Sequence, residues 1–457
     1  MKGHEHHANA HSGHEMMHAP AATAQDDYRR AYDATQPDPG GRVVTVELEA
    51  REASWPLGDG RQFAAWAFNG QVPGPTLEAR VGDVLEVRLT NRLPEPTTIH
   101  WHGLQLPAPM DGTDIVQRTV APGETYTYRF RASDAGTFWY HSHTNETVQM
   151  ERGLYGALVV RGDEGLVFDG EQVLVFDDLK LDARGWLARF GGFVQGHDGR
   201  EGDVRLINGK VEPHLAIAAG QVERWRLVNA SSARYVRFAL GGASFRIVAS
   251  DVGLLEAPRE AREVLLAPGE RVDLAIGPFA EGQALPIESL AYWRMTVKRR
   301  KTEPFGTLRV GPVRPSSAVI PDRLRSIAPL AAPDAAPSRT IRFGARFSLR
   351  HGLVFVVNGQ RHYQDQPVRV GELQVWEIVN ETNMDHPFHL HGFAFQVLSV
   401  NGKPRAWKSW EDVVNLPPRS RTRIAWIPDD RPGRWMYHCH ILEHHASGMM
   451  GHFDVIR

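Results

Sequence analysis

Apolar and polar residues alternate in many short stretches of this chain, as in Val84-Leu85-Glu86-Val87-Arg88-Leu89. A two-residue period is that of a strand with one face buried and the other in water. Asn-Gly pairs punctuate these stretches as turns, and long helical periodicity is scarce. The pattern predicts an all-β protein.

The punctuation also repeats. Asn69-Gly70 is followed by Gly82 and, nine residues later, Asn91. Asn208-Gly209 leads in the same way to Gly220 and Asn229, and Asn358-Gly359 to Gly371 and Asn380. A repeat of about 140–150 residues is the size of one domain. Three tandem Greek-key β-sandwiches follow, over residues 41–162, 163–312 and 339–457, with a Pro-, Ala- and Ser-rich linker at 313–338. Residues 1–40 begin with His4, His6, His7, His11, His14 and His18 beside Met16 and Met17. That composition predicts a disordered tail, either a neutral polar extension or a loose copper collector.

Composition narrows the function. Lys plus Arg number 52 against 54 Asp plus Glu, so there is no electrostatic case for nucleic acid as a partner. The one basic run, Lys298-Arg299-Arg300-Lys301, reads as a solvated loop. No apolar run is long enough to cross a bilayer. A single Cys, Cys439, excludes an internal disulfide and leaves the thiol available to a metal. The tail lacks the apolar segment of a secretory signal, which fits either a periplasmic or secreted protein whose signal is gone, or a cytoplasmic one.

The chemistry lies in four histidine clusters: His100-Trp101-His102-Gly103, His141-Ser142-His143, His386-Pro387-Phe388-His389-Leu390-His391-Gly392, and His438-Cys439-His440 followed by His444 and Met449. On a strand, residues i and i+2 share a face. Each His-x-His pair therefore aims two imidazoles at one site, while Cys439 points away from His438 and His440. His386, three residues before His389, also points to the opposite face. Cys, His and a thioether are the donor set of an electron-transfer copper. The repeat shows which domains keep metal. Nine residues past the second Asn stand His100 in the first copy and His389 in the third, but Phe238 in the second, followed by Leu240. Ser142 occupies the place of Cys439 in the first copy. Four His from the first domain and four from the third should meet at an interface, with the middle domain as scaffold.

With HWHG, HSH, HPFHLHG and HCHILEH followed by Met in this order, the chain from about residue 42 to 457 resembles the three-domain multicopper oxidases of the bacterial laccase type. The resemblance implies cupredoxin-like domains and four copper ions. Type-1 copper would take His386, Cys439 and His444 with Met449 axial, Met450 being the alternative. Type-2 copper would take His100 and His389, and the type-3 pair His102, His141, His143, His391, His438 and His440. It further implies dioxygen as electron acceptor, a phenol or aromatic amine or else Cu(I) as donor, and a monomer. Asp111 matches a family acid near the type-2 site, its plain alternative being an Asx turn before Gly112. Many relatives carry an acidic pair directly after the type-1 His, where this chain has His445 and Ala446. Glu443, Glu146 or His445 would then supply protons. Asp385, next to His386, could accept a phenolic proton or bind a metal ion. His197, His214, His351, His362 and His452 read as structural, and Trp101, Trp139 and Trp435 as core around the metal.

Overall fold

The computed structural model describes residues 40–182, 184–188, 197–294, 301–348 and 352–457. Residues 1–39, His351 and the basic residues Lys298 to Arg300 lie outside them. The described chain forms six sheets, two for each repeat. In the first, the strands Gln62–Phe68, Val43–Pro56, Val84–Asn91 and Thr125–Arg131 make one sheet. Gly74–Arg80, Tyr155–Arg161, Gly136–His141 and His100–His102 make the other. Leu48, Phe68, Leu89, Trp101, Phe130 and Leu158 share the core of that domain. In Val84–Asn91 the expected alternation holds, with Val87 and Leu89 buried and Arg88 exposed.

The topology recurs in all three domains. The opening strand pairs in parallel with the strand that ends at the second marker Asn: Val43–Pro56 with Val84–Asn91, Gly170–Leu179 with Glu223–Asn229, and Arg339–Ser348 with Gln374–Asn380. The markers have one physical role each. Asn69, Asn208 and Asn358 have φ of 54°, 50° and 48°, and each is followed by a glycine of positive φ. That is the turn geometry Asn-Gly tolerates best. Asn91, Asn229 and Asn380 are buried, and each amide donates to at least two carbonyls while its oxygen accepts the N–H two residues on. One buried side chain thus closes the same corner three times.

After the strand Glu303–Val313, the Pro- and Ala-rich segment is held along its path. Val319 bridges Val167, Leu324 N–H donates to Glu256 O, and Leu330 N–H donates to Gln396 Oε1 in the third domain. In the second domain Phe238 and Leu240 are fully buried in the apolar core. The positions that hold imidazoles elsewhere have become packing residues there.

Candidate metal centre

Strand register sorts the ligands. His100 lies opposite His141 in the first domain, and in the third His389 lies opposite His438 and Phe388 opposite Cys439. Opposed residues share a face, so His389 and His438 point one way, Phe388 and Cys439 the other. On the cysteine side, Cys439 Sγ is 3.4 Å from Nδ1 of His386 and 3.4 Å from Nδ1 of His444. The two Nδ1 atoms are 3.0 Å apart. His444 arrives on the short helix Leu442–Ser447, which ends at Gly448 with φ 115°. The reversal lays Met449 beside the sulfur's strand, where Cys439 N–H donates to Met449 O at 3.1 Å. Met449 is buried in the same apolar core as Cys439, Phe355 and Phe388. Met450 belongs to a different cluster with Met436, which favours Met449 as the fourth donor.

The other eight imidazoles converge between the first and third domains. His100 Nε2 lies 3.4 Å from His389 Nε2, and His391 Nε2 lies 2.9 Å from His438 Nε2. His102 and His389 stack at 3.8 Å between ring centres, and His440 sits 5.1 Å from His102 and 5.6 Å from His141. Ligand atoms close enough to hold one ion group as His143, His391 and His438, and as His100, His102 and His141. Two glycines make the approach possible. A Cβ on Gly103 would meet Arg271 Nη2 at 2.3 Å, and one on Gly392 would meet the Trp435 ring at 2.1 Å.

Comparison with known proteins decides the family. Its models, described as multicopper oxidase, match residues 49–165, 182–281 and 340–457. A multicopper oxidase of Mycobacterium tuberculosis is 30% identical, covering 93% of this chain and 90% of that one. The chain belongs to the multicopper oxidase family. Its fold is that of solved members. A multicopper oxidase of Campylobacter jejuni, described as a metallo-oxidase, superposes with a TM-score of 0.81 at 30% identity over 93% of this chain and 97% of that one. The enzyme of Pseudomonas thermotolerans gives 0.78 at 32% identity, over 91% and 100%.

The oxidase's own side chains fit copper. Apart from His440, the nitrogens turned away from the metal positions have partners. His386 Nε2 lies 2.8 Å from Thr382 Oγ1, and His444 Nε2 lies 2.8 Å from His197 O. Nδ1 of His100, His389, His141 and His438 reaches the carbonyls of Asp111, Asp412, Ser142 and Cys439. Nδ1 of His391 meets Asp111 Oδ2, and Nδ1 of His143 meets Glu146 Oε1. Such partners fix which nitrogen carries hydrogen and leave the other bare. Among the described residues, His102 Nδ1, His141 Nε2, His143 Nε2 and both nitrogens of His440 are buried with no hydrogen-bond partner. An unsatisfied buried imidazole nitrogen is costly unless a metal takes its lone pair. Burial also holds His386 down to about 3 and His102, His141, His391, His438, His440 and His444 well below the usual imidazole range. Burial thus favours the neutral imidazole, the form that donates to a metal. Burial pushes the Cys439 thiol far up, so only a bound cation would make it a thiolate.

The carboxylates are placed less as the sequence suggested. Asp111 bridges the domains, giving its carbonyl to His100 at 2.8 Å and its carboxylate to His391 at 2.8 Å. Glu443 is buried, and among the described residues neither carboxylate oxygen has a hydrogen-bond partner. Burial raises it to about 8. It is no surface ion pair, and it touches no cluster histidine by hydrogen bond. A further carboxylate at the cluster is Glu146, between His143 and His445, whose Nδ1 is 2.7 Å from Glu146 Oε2. Burial opposes the Glu146 anion, but the two imidazoles hold its carboxyl well below the usual range. Asp385 is buried, accepts from Tyr292 Oη–H and Asn415 Nδ2–H at 3.0 Å each, and is raised by burial. Asp412 was not legible as a site residue. Its Oδ1 is 3.0 Å from His102 Nε2, its carbonyl takes His389, and Arg271 of the second domain grips it. Nothing in its spacing singles it out. Thr382 carried a faint signal, standing two residues after a repeat marker.

Proposed function

We propose that this oxidase is laccase-like, coupling one-electron oxidation of phenols or aromatic amines to the four-electron reduction of dioxygen to water. Type-1 copper would be held by His386, Cys439 and His444 with Met449, type-2 copper by His100 and His389, and the type-3 pair by His102, His141, His143, His391, His438 and His440. Bound copper supplies single-electron uptake at the thiolate site and pooled four-electron delivery to dioxygen at the histidine site.

The observation that carries the reading is the register Phe388–Cys439 beside His389–His438. Cys439 serves one site while its covalent neighbours His438 and His440 serve the other, so a few bonds link electron donor and oxygen site. Around them the chain positions and buffers. Thr382 and the His197 carbonyl hold His386 and His444 with Nδ1 toward the sulfur. Asp111, hydrogen-bonded to His391, is a proton source at the oxygen site, and His445, at the position where many relatives carry an acid, pairs with Glu146 of the first domain. At the donor side, Tyr292 stacks on Tyr235 at 5.1 Å and donates to Asp385, next to His386. Trp293 beside it is 66% exposed. Aromatic surface next to a type-1 ligand favours an aromatic donor.

A second reading is a cuprous oxidase in copper tolerance. The His- and Met-rich residues 4–18 and the description of the Campylobacter jejuni relative as a metallo-oxidase favour it. Oxygen uptake on a substituted phenol and on Cu(I), with and without residues 1–20, separates the two. Phenol turnover that survives tail removal and exceeds Cu(I) turnover supports the laccase reading. Turnover confined to Cu(I) overturns it. The Cys439→Ser variant should lose both activities together with its visible absorption.

A further inference from the structure

On the sheet face away from the type-1 site, a second set of soft donors comes together. His438 pairs with Met450 and Met436 with His452 across two antiparallel strands. Opposed residues and i, i+2 neighbours share a face, so Met436, Met450 and His452 line one surface with His438. Met436 and Met450 pack together, buried with Ile115 and Val116 of the first domain. His362 approaches from a turn, its Nδ1 3.0 Å from Met450 Sδ. It is fixed there by its N–H to Gly448 O and is itself exposed. His452 is only 2% exposed, and among the described residues its Nδ1 has no hydrogen-bond partner.

We propose that His362, Met436, Met450 and His452 bind one cuprous ion at a position separate from the four coppers of the oxidase. Thioethers are weak donors that select Cu(I), and neutral imidazole completes a low-coordination site for it. The exposed His362 gives the ion a ligand reachable from solvent. The buried donors lead inward to Met450, directly opposite His438. The site is thus a loading position from which copper reaches the histidine cluster, whichever donor the oxidase consumes.

The test uses the full-length, copper-loaded enzyme, reduced under anaerobic conditions so that every copper is diamagnetic. Cu(I) from a chelate buffer is added while the methyl resonances of 13C-labelled methionine are followed. Saturable movement of the Met436 and Met450 methyls with one equivalent is expected. His362→Gln, at an exposed position that leaves the core untouched, should weaken that binding at least roughly tenfold, the smaller end of what loss of a supporting group costs a metal site. Met450→Leu should abolish it while the visible absorption of the Cys439 site is kept. Methyls that stay still, or equal affinity in wild type and His362→Gln, overturn the proposal and leave the His362–Met450 contact a plain N–H···S interaction.

Discussion

Arg271, from the domain in which Phe238 and Leu240 stand at the histidine positions of the other two, grips Asp412 of the third domain with both prongs of its guanidinium, at 2.7 Å and 2.5 Å. Asp412 in turn orients His102 and His389. Asp251 adds a second carboxylate to the same guanidinium at 3.4 Å. Burial opposes the Asp412 anion, but Arg271 holds its carboxyl well below the usual range. The middle domain therefore supports the cluster through a buried ion pair. Arg271→Met would strand Asp412 and Asp251 without a counter-charge. Breaking a buried pair by removing one partner costs about 3–5 kcal/mol. A fall in the urea midpoint of the loaded protein, with loss of copper on dialysis, is the expected result. An unchanged midpoint would remove the middle domain from the account.

Asp111→Asn separates support from chemistry. The backbone carbonyl to His100 is untouched, so the cluster should keep its copper. The anionic partner of His391 is gone, and loss of a general acid lowers kcat by about 10²–10⁴-fold. Copper content and kcat measured on the same sample decide the point. Equal loss of both would make Asp111 a positioning residue only.

Glu146 ties His143 to His445 across the domain interface. Glu146→Gln should weaken copper retention about 10–100-fold, as removal of a ligand's hydrogen-bond partner does. His445→Ala leaves the Glu146–His143 contact in place and should cost less. Chelator competition ranks the variants, and the reverse order would make His445 the supporting group.

The apoprotein should be acid-sensitive. Burial depresses His386 to about 3 and drives seven further histidines of the candidate metal centre below their usual range. In that window the unfolded chain binds protons that the folded one refuses. Stability is therefore complete above the unfolded imidazole value, near 6.5, and is lost as pH falls below it, by up to about 1.4 kcal/mol per pH unit for each group. Apoprotein melting should fall steeply from pH 7 to pH 5. A flat profile would mean that these imidazoles are hydrated in the metal-free state.

Which candidate ligands come together was legible in the sequence because strand geometry is local. Residue parity separates Cys439 from His438 and His440, and His386 from His389 and His391, whereas His444 is brought to the cysteine side by the short helix Leu442–Ser447. The repeat markers were legible for a related reason, since Asn-Gly meets a backbone requirement and Asn91, Asn229 and Asn380 each satisfy nearby carbonyls. The loss of ligands at Phe238 and Leu240 likewise followed from spacing. Tertiary structure decided what lies around the metal. Asp412 lies 310 residues from His102, and Glu146 lies 299 residues from His445. Contacts at such separation leave no periodicity to read. Glu443, one residue from His444, turned out to be buried with no side-chain hydrogen bond to the cluster among the described residues, while Glu146 reached His445 from another domain. Ligand chemistry is written in short-range spacing because neighbouring residues on a strand have fixed directions. Proton supply and support are set by which surfaces meet when three domains close on one another.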